Sequence, residues 1–141
     1  MADAKTKQTA ASVATFLNAI PDAVVRADCR AIAGLMQAAT KSKPKMWGKN
    51  IVGFGDREIR YAGGRTANWM VIGFSPRKQN ITLYALDGSK PDDPLLASLG
   101  PHSRGKGCLY IKRLSDVHGP TLEKLIRTAA QEKMSKPRGQ R

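Results

Sequence analysis

Apolar positions recur along this chain with two different periods, and the change from one to the other divides it. Val13, Phe16 and Leu17 suggest a short helix that stops near Pro21. Val25, Cys29, Ile32, Met36 and Ala39 then follow at intervals of four and three, the stripe of an amphipathic helix from about residue 22 to 40. Lys41-Ser42-Lys43-Pro44-Lys45 breaks that helix. From Met46 the pattern changes to short β runs separated by glycine, over 51–54, 57–62, 69–74, 81–86 and 108–113. Gly55-Asp56, Gly63-Gly64 and Pro76 supply turns for a meander. Residues 87–107 hold Pro91, Pro94 and Pro101 with four glycines, and only 95–99 suits a helical turn. A long excursion of that kind usually carries function or shields a surface. A last helix runs from about 121 to 133, with Leu122, Leu125, Ile126, Ala129 and Ala130 inward and Gly119-Pro120 at its start.

Helices, then strands, then a helix predict an α+β two-layer sandwich. Its mainly antiparallel sheet of about five strands would carry the N-terminal and C-terminal helices on one face and leave the other partly open to water. One domain is expected over 11–134, between a flexible basic arm (1–10) and a flexible basic tail (135–141). At 141 residues, such a domain can bury roughly two-thirds of its unfolded-chain surface without staples.

Charge adds a partner class to this picture. Lys and Arg number 24 against 11 Asp and Glu, a net charge of +13, distributed as +4 over 1–46, +6 over 47–113 and +3 over 114–141. A uniform excess makes the domain itself basic, and the resulting field concentrates anions, whether nucleic acid, phosphorylated metabolites or acidic lipid surfaces. The competing reading is a merely solubilising surface. Cys29 and Cys108 lie in apolar-periodic segments, where a reduced cysteine behaves as a small hydrophobe, so a reducing cytoplasm is expected. Met1-Ala2-Asp3-Ala4-Lys5 has no apolar leader core, and the run 69–74 is far too short to cross a bilayer, so neither export nor a membrane partner is expected. Monomer and homodimer both stay open.

Met46-Trp47-Gly48, Gly53-Phe54-Gly55, Tyr61-Ala62-Gly63-Gly64-Arg65, the run 69–78 and the run 105–114 occur in an order and spacing that resemble the YdhG-like family of bacterial domains of unknown function. The resemblance extends from about residue 22 to 134. It implies a small α+β sandwich akin to the frataxin fold, and one branch of the family is a frataxin-like intracellular iron chaperone. Frataxin-type proteins present an acidic ridge along the first helix. The corresponding helix here offers Asp22 and Asp28 interleaved with Arg26 and Arg30, and carboxylates neutralised by guanidiniums make a poor cation site.

Gly100-Pro101-His102-Ser103-Arg104-Gly105-Lys106 fits the first seven positions of a phosphate-binding loop. A working loop would next need Ser or Thr and would open a helix, whereas position 107 is glycine and a strand follows. Lys106 can still hold an anion without a helix behind it. Arg77 and Lys78, at a turn with Pro76 in its second position, read either as hairpin decoration or, together with Lys106, as a cluster around one anion. Strand alternation sends Thr82 and Tyr84 to one face and Ile81 and Leu83 to the other. It likewise separates Lys106, Cys108, Tyr110 and Lys112 from Leu109 and Ile111. With the aliphatics under the helices, Tyr84, Tyr110 and Lys112 stand on the open face, where they either stack bases or merely cover the sheet.

Trp47, Phe54 and Phe74 read as core. His102 and His118 lack partners at zinc spacing, Asp92-Asp93 reads as a solvated turn, and Ser75, Ser103 and Ser115 have no base to activate them. The expectation is therefore a non-enzymatic domain with no cofactor, no metal and no catalytic residue. Its anionic ligand, a phosphate-bearing molecule or nucleic acid, would be seated at Arg77, Lys78, Lys106, Tyr84, Tyr110 and Lys112. Intracellular iron binding is the alternative.

Overall fold

A computed structural model describes residues 8–60, 63–64, 66–84, 94–105 and 108–135. In chain order it contains β1 (Gln8–Thr9), α1 (Val13–Asn18), α2 (Ala23–Thr40), β2 (Pro44–Trp47), β3 (Ile51–Phe54), β4 (Arg57–Arg60), β5 (Thr66–Trp69), β6 (Ile72–Pro76), β7 (Ile81–Tyr84), α3 (Pro94–Leu99), β8 (Ser103–Gly105), β9 (Cys108–Ile111), a 3₁₀ turn (Leu114–Asp116) and α4 (Gly119–Ser135).

Local chemistry sets the helix ends. Ser12 caps α1, its Oγ accepting from the Thr15 amide, and Asp22 caps α2 by accepting from the amides of Val24 and Val25. Lys41 ends α2 in the left-handed region at φ 56°, where its N–H donates to the Gln37 carbonyl. That conformation costs an L-residue about 1 kcal/mol relative to glycine. The α2 stripe is the expected one, with Cys29, Ile32 and Met36 wholly buried. Burial pushes the Cys29 thiol up to about 12, with Asp28 adding to the shift, which leaves it inert as a nucleophile. His118 stands just before α4, where its carbonyl accepts from the Leu122 amide and its ring Nδ1 meets Thr121 Oγ1 at 2.7 Å.

The architecture is α+β, with the helices against one face of an antiparallel sheet. The sheet is wider than expected: seven strands in the order β1-β2-β3-β6-β7-β9-β8. Its extra members are β1 and β8, short edge pieces without a hydrophobic signature, and β2, an inner strand whose apolar part is only Met46 and Trp47. Gln8–Thr9 pairs with Trp47 and Met46, so the expected N-terminal arm is tied down at its end. The run expected over 69–74 is two strands. β5 pairs with β4 in a separate hairpin, and β6 enters the main sheet, where the Val71 amide donates to the Phe54 carbonyl as the chain crosses over. Residues 85–86, 106–107 and 136–141, on which other strand and tail expectations fall, lie outside the described residues.

Pairing registers distribute the side chains between the faces. Val52, Phe54, Ile72, Phe74, Leu83, Leu109 and Ile111 point to the helices and are buried, with the Phe54 and Phe74 rings stacked at 6.4 Å. Each such side chain contributes roughly 1.5–3 kcal/mol by leaving water, and these residues together with α2 and α4 form the core. On the opposite face, one row runs Lys45, Gly53, Gly73, Tyr84, Cys108, Gly105 and the next runs Ser75, Thr82, Tyr110, Ser103.

Candidate anion-binding cleft

The β6–β7 hairpin closes two residues later than the sequence suggests. Pro76 is not the second residue of the turn: it is the last residue of β6, opposite Ile81, and the turn comprises Arg77, Lys78, Gln79 and Asn80. The reason is the ladder. The Arg77 N–H donates to the Asn80 carbonyl at 2.8 Å, which makes the next pair, Pro76 and Ile81, a position that exchanges no hydrogen bonds and tolerates proline. The strand end is fixed by Ser75, fully buried, whose Oγ donates to the Asn50 carbonyl at 2.7 Å.

The shift puts both cations on the turn. Arg77 Nη2 donates to Tyr84 Oη at 2.6 Å, so the tyrosine hydroxyl holds the guanidinium in place while its other donors stay exposed. Asn80 accepts from Thr82 Oγ1 and stiffens the far side of the turn.

Three other segments meet the turn around a cleft of about 760 Å³. The end of β9 brings Tyr110, half-buried, followed by Lys112 and Arg113, both exposed. Tyr110 lies across the backbone of Gly105, where a Cβ would stand 2.4 Å from its hydroxyl oxygen. Pro101, His102 and Ser103 form a second wall, positioned by Gly100. Gly100 adopts φ 112° and approaches the Asp116 carbonyl so closely that a Cβ would stand 2.8 Å from it, while the His118 amide donates to Leu99. His102 Nδ1 donates to the Gly100 carbonyl at 2.7 Å, leaving its other ring nitrogen for a ligand. The start of α2 closes the cleft with Asp22, and the 3₁₀ turn adds Asp116. That turn is pinned to α2 by the Leu114 amide, which donates to Asp28 Oδ2 at 2.9 Å.

The cleft walls thus hold four cations, Arg77, Lys78, Lys112 and Arg113, against two carboxylates. The Val25 amide, then the Val24 amide, with Arg113 and Arg26 adding, holds the Asp22 carboxyl below its ordinary value, so it is an anion at neutral pH. The volume falls within the range of small-molecule sites.

Of the residues expected from sequence, Arg77, Lys78, Tyr110 and Lys112 line this cleft. Tyr84 acts through Arg77 rather than as part of the wall. Lys106 lies outside the described residues. Sequence reasoning missed Arg113, because alternation sends it away from Lys112; β9 ends at Ile111, and beyond a strand end alternation no longer applies. His102 drew attention as a metal ligand and within the loop-like motif at 100–106, but not as a wall of this cleft.

Other sequence signals resolve into structural roles. Ser103–Gly105 is a strand pairing with β9, so the loop-like motif at 100–106 does not open a helix. Asp22 and Asp28 each give one carboxylate oxygen to backbone amides, and among the described residues no group of three or more His, Cys, Asp or Glu is placed to hold a metal ion. Among those residues, too, no helix is long and apolar enough to cross a membrane. Trp47 is buried as expected, but on the face away from the helices, with its Nε1 lacking an acceptor. No protein-family model, curated protein or solved structure matches the chain.

Proposed function

We propose that this protein is a cytoplasmic binding domain without catalytic chemistry, and that its ligand is anionic, a phosphate-bearing molecule or nucleic acid. The observation that carries this reading is the convergence of Arg77, Lys78, Lys112 and Arg113, from two chain segments, on one cleft. Like charges at close quarters repel, so a fold that gathers four gains from an anion between them. The side chains are exposed, and each contributes about 0.2–1 kcal/mol to a singly charged ligand. Together with the hydrogen bonds of a guanidinium already held by Tyr84, they support affinities around millimolar.

Calorimetric titration with inorganic phosphate and with short single-stranded DNA at low salt tests the proposal. Binding that weakens with rising salt, and is reduced in Arg77→Ala/Lys112→Ala, is the expected result. For a single strand the slope is about 0.7 log units per phosphate neutralised. No heat with either ligand at low salt would overturn the reading.

The motif order and spacing across residues 46–114 also support placing the chain with the YdhG-like domains. The iron-chaperone role of one branch of that family has less support, since among the described residues no group of three or more His, Cys, Asp or Glu is placed to hold a metal ion.

A further inference from the structure

The carboxylates in the cleft narrow the ligand. Resting on the anion-binding reading above, we infer that the cleft takes a small phosphate ester bearing hydroxyl groups, a sugar phosphate or mononucleotide, with its phosphate at the Arg77, Lys78 and Lys112 side chains and its hydroxyls at Asp22 and Asp116.

Three observations support this. The first is the mixture of charges. A groove tracking a nucleic-acid backbone meets a phosphate at every step, and a carboxylate in its wall repels the next one. Here two carboxylates stand among four cations in one cleft. They serve a ligand with one anionic end and a neutral, donor-bearing remainder.

The second is the state of Asp22. Its Oδ1 accepts from the Val24 and Val25 amides, so Oδ2 is left for the cleft. The group is ionised at neutral pH and therefore accepts only. The matching ligand group is a donor. A ligand ammonium would meet the four surrounding cations, whereas a hydroxyl donates without that repulsion. A carboxylate accepting from sugar hydroxyls is how dinucleotide sites read ribose.

The third is size. A cleft of about 760 Å³ suits a molecule with one phosphate and a ring, and Tyr110 and Pro101 give that ring an apolar wall.

The test exploits an opposition of sign. Inorganic phosphate, ribose 5-phosphate and a short oligothymidylate are titrated calorimetrically into the wild type, Asp116→Asn and Asp22→Asn. Asparagine caps a helix as well as aspartate, and Asp116 is exposed, so both variants should fold. In the wild type, ribose 5-phosphate should bind about tenfold more tightly than inorganic phosphate. At least one variant should lose that preference, while inorganic phosphate binds two- to threefold more tightly because a nearby negative charge is gone. If both variants bind both small ligands more tightly, or keep the tenfold preference, the carboxylates do not read hydroxyls, and the inference fails with anion binding intact. An oligothymidylate that outcompetes ribose 5-phosphate would overturn it in favour of a polymer. Absence of binding by all three ligands would remove the anion-binding reading itself.

Discussion

The sheet face that the helices leave free has two ends, and they are finished in opposite ways. At the β2–β3–β6 end, Gly53 and Gly73 lie side by side, and Met70 and Trp47 descend onto them. A Cβ on Gly53 would stand 2.5 Å from Trp47 Cδ1, and one on Gly73 would stand 2.5 Å from Met70 Sδ. Trp69 then packs edge-on against Trp47 with ring centroids 5.7 Å apart. At the β7–β9 end the same rows carry Tyr84 and Tyr110, both half-buried, beside a cleft with exposed cations. Removing side chains from a sheet lets neighbours seal it, while retaining long amphipathic ones keeps it partly wet. The division suggests that stability and binding are served by different ends of one surface.

That division can be broken from either side. The largest effect is expected at the sealed end. Gly73→Ala would place a methyl 2.5 Å from Met70 Sδ and 2.7 Å from the Val52 carbonyl, and should cost about 3 kcal/mol, seen as a lower urea midpoint. At the cleft end, Arg77→Ala/Lys112→Ala should leave that midpoint within about 0.5 kcal/mol of the wild type while weakening phosphate binding about tenfold. A comparable loss of stability in this variant would show that the two ends are not separable.

Tyr84→Phe is a finer cut. It removes only the acceptor that holds the Arg77 guanidinium and should weaken phosphate binding about threefold. An unchanged affinity would mean that the guanidinium needs no holding. The smallest effect is at Asp22. Its folded-state carboxyl is more acidic than the ordinary 3.8, chiefly through the Val25 amide, so its contribution to stability is complete above that value and lost as pH falls through the lower one. Asp22→Asn should flatten the dependence of thermal midpoint on pH below the ordinary carboxyl value of 3.8. An identical slope in the variant would mean that other carboxylates govern acid unfolding.

How much of this could be read from the chain follows from the range of the forces involved. Both long helices were legible, because a stripe such as Cys29, Ile32 and Met36 is a local record of burial. So were the turn cations and the facing of Tyr84 and Tyr110, since alternation is local too. Partner choice was not: residues 57–60 look like any other strand, and nothing nearby announces that they pair only with β5. Nor was the acidic side of the cleft. Asp22 and Asp116 meet the cations because the 3₁₀ turn docks on α2 through a bond between residues 86 apart in sequence, and no periodicity records that. Nor was the role of the twin glycines, Gly53 and Gly73, which lies in Trp47 and Met70 above them.

Both tryptophans of the chain belong to the sealed end, in edge contact with each other. Indole emission is therefore a reporter of one half of the molecule. Its shift on denaturation will follow the opening of the Trp47–Trp69 pair, and an occupant of the cleft, lined by Tyr110 and no indole, will leave it largely dark. A fluorescence screen that finds no ligand for this protein would thus be watching the wrong end of the sheet.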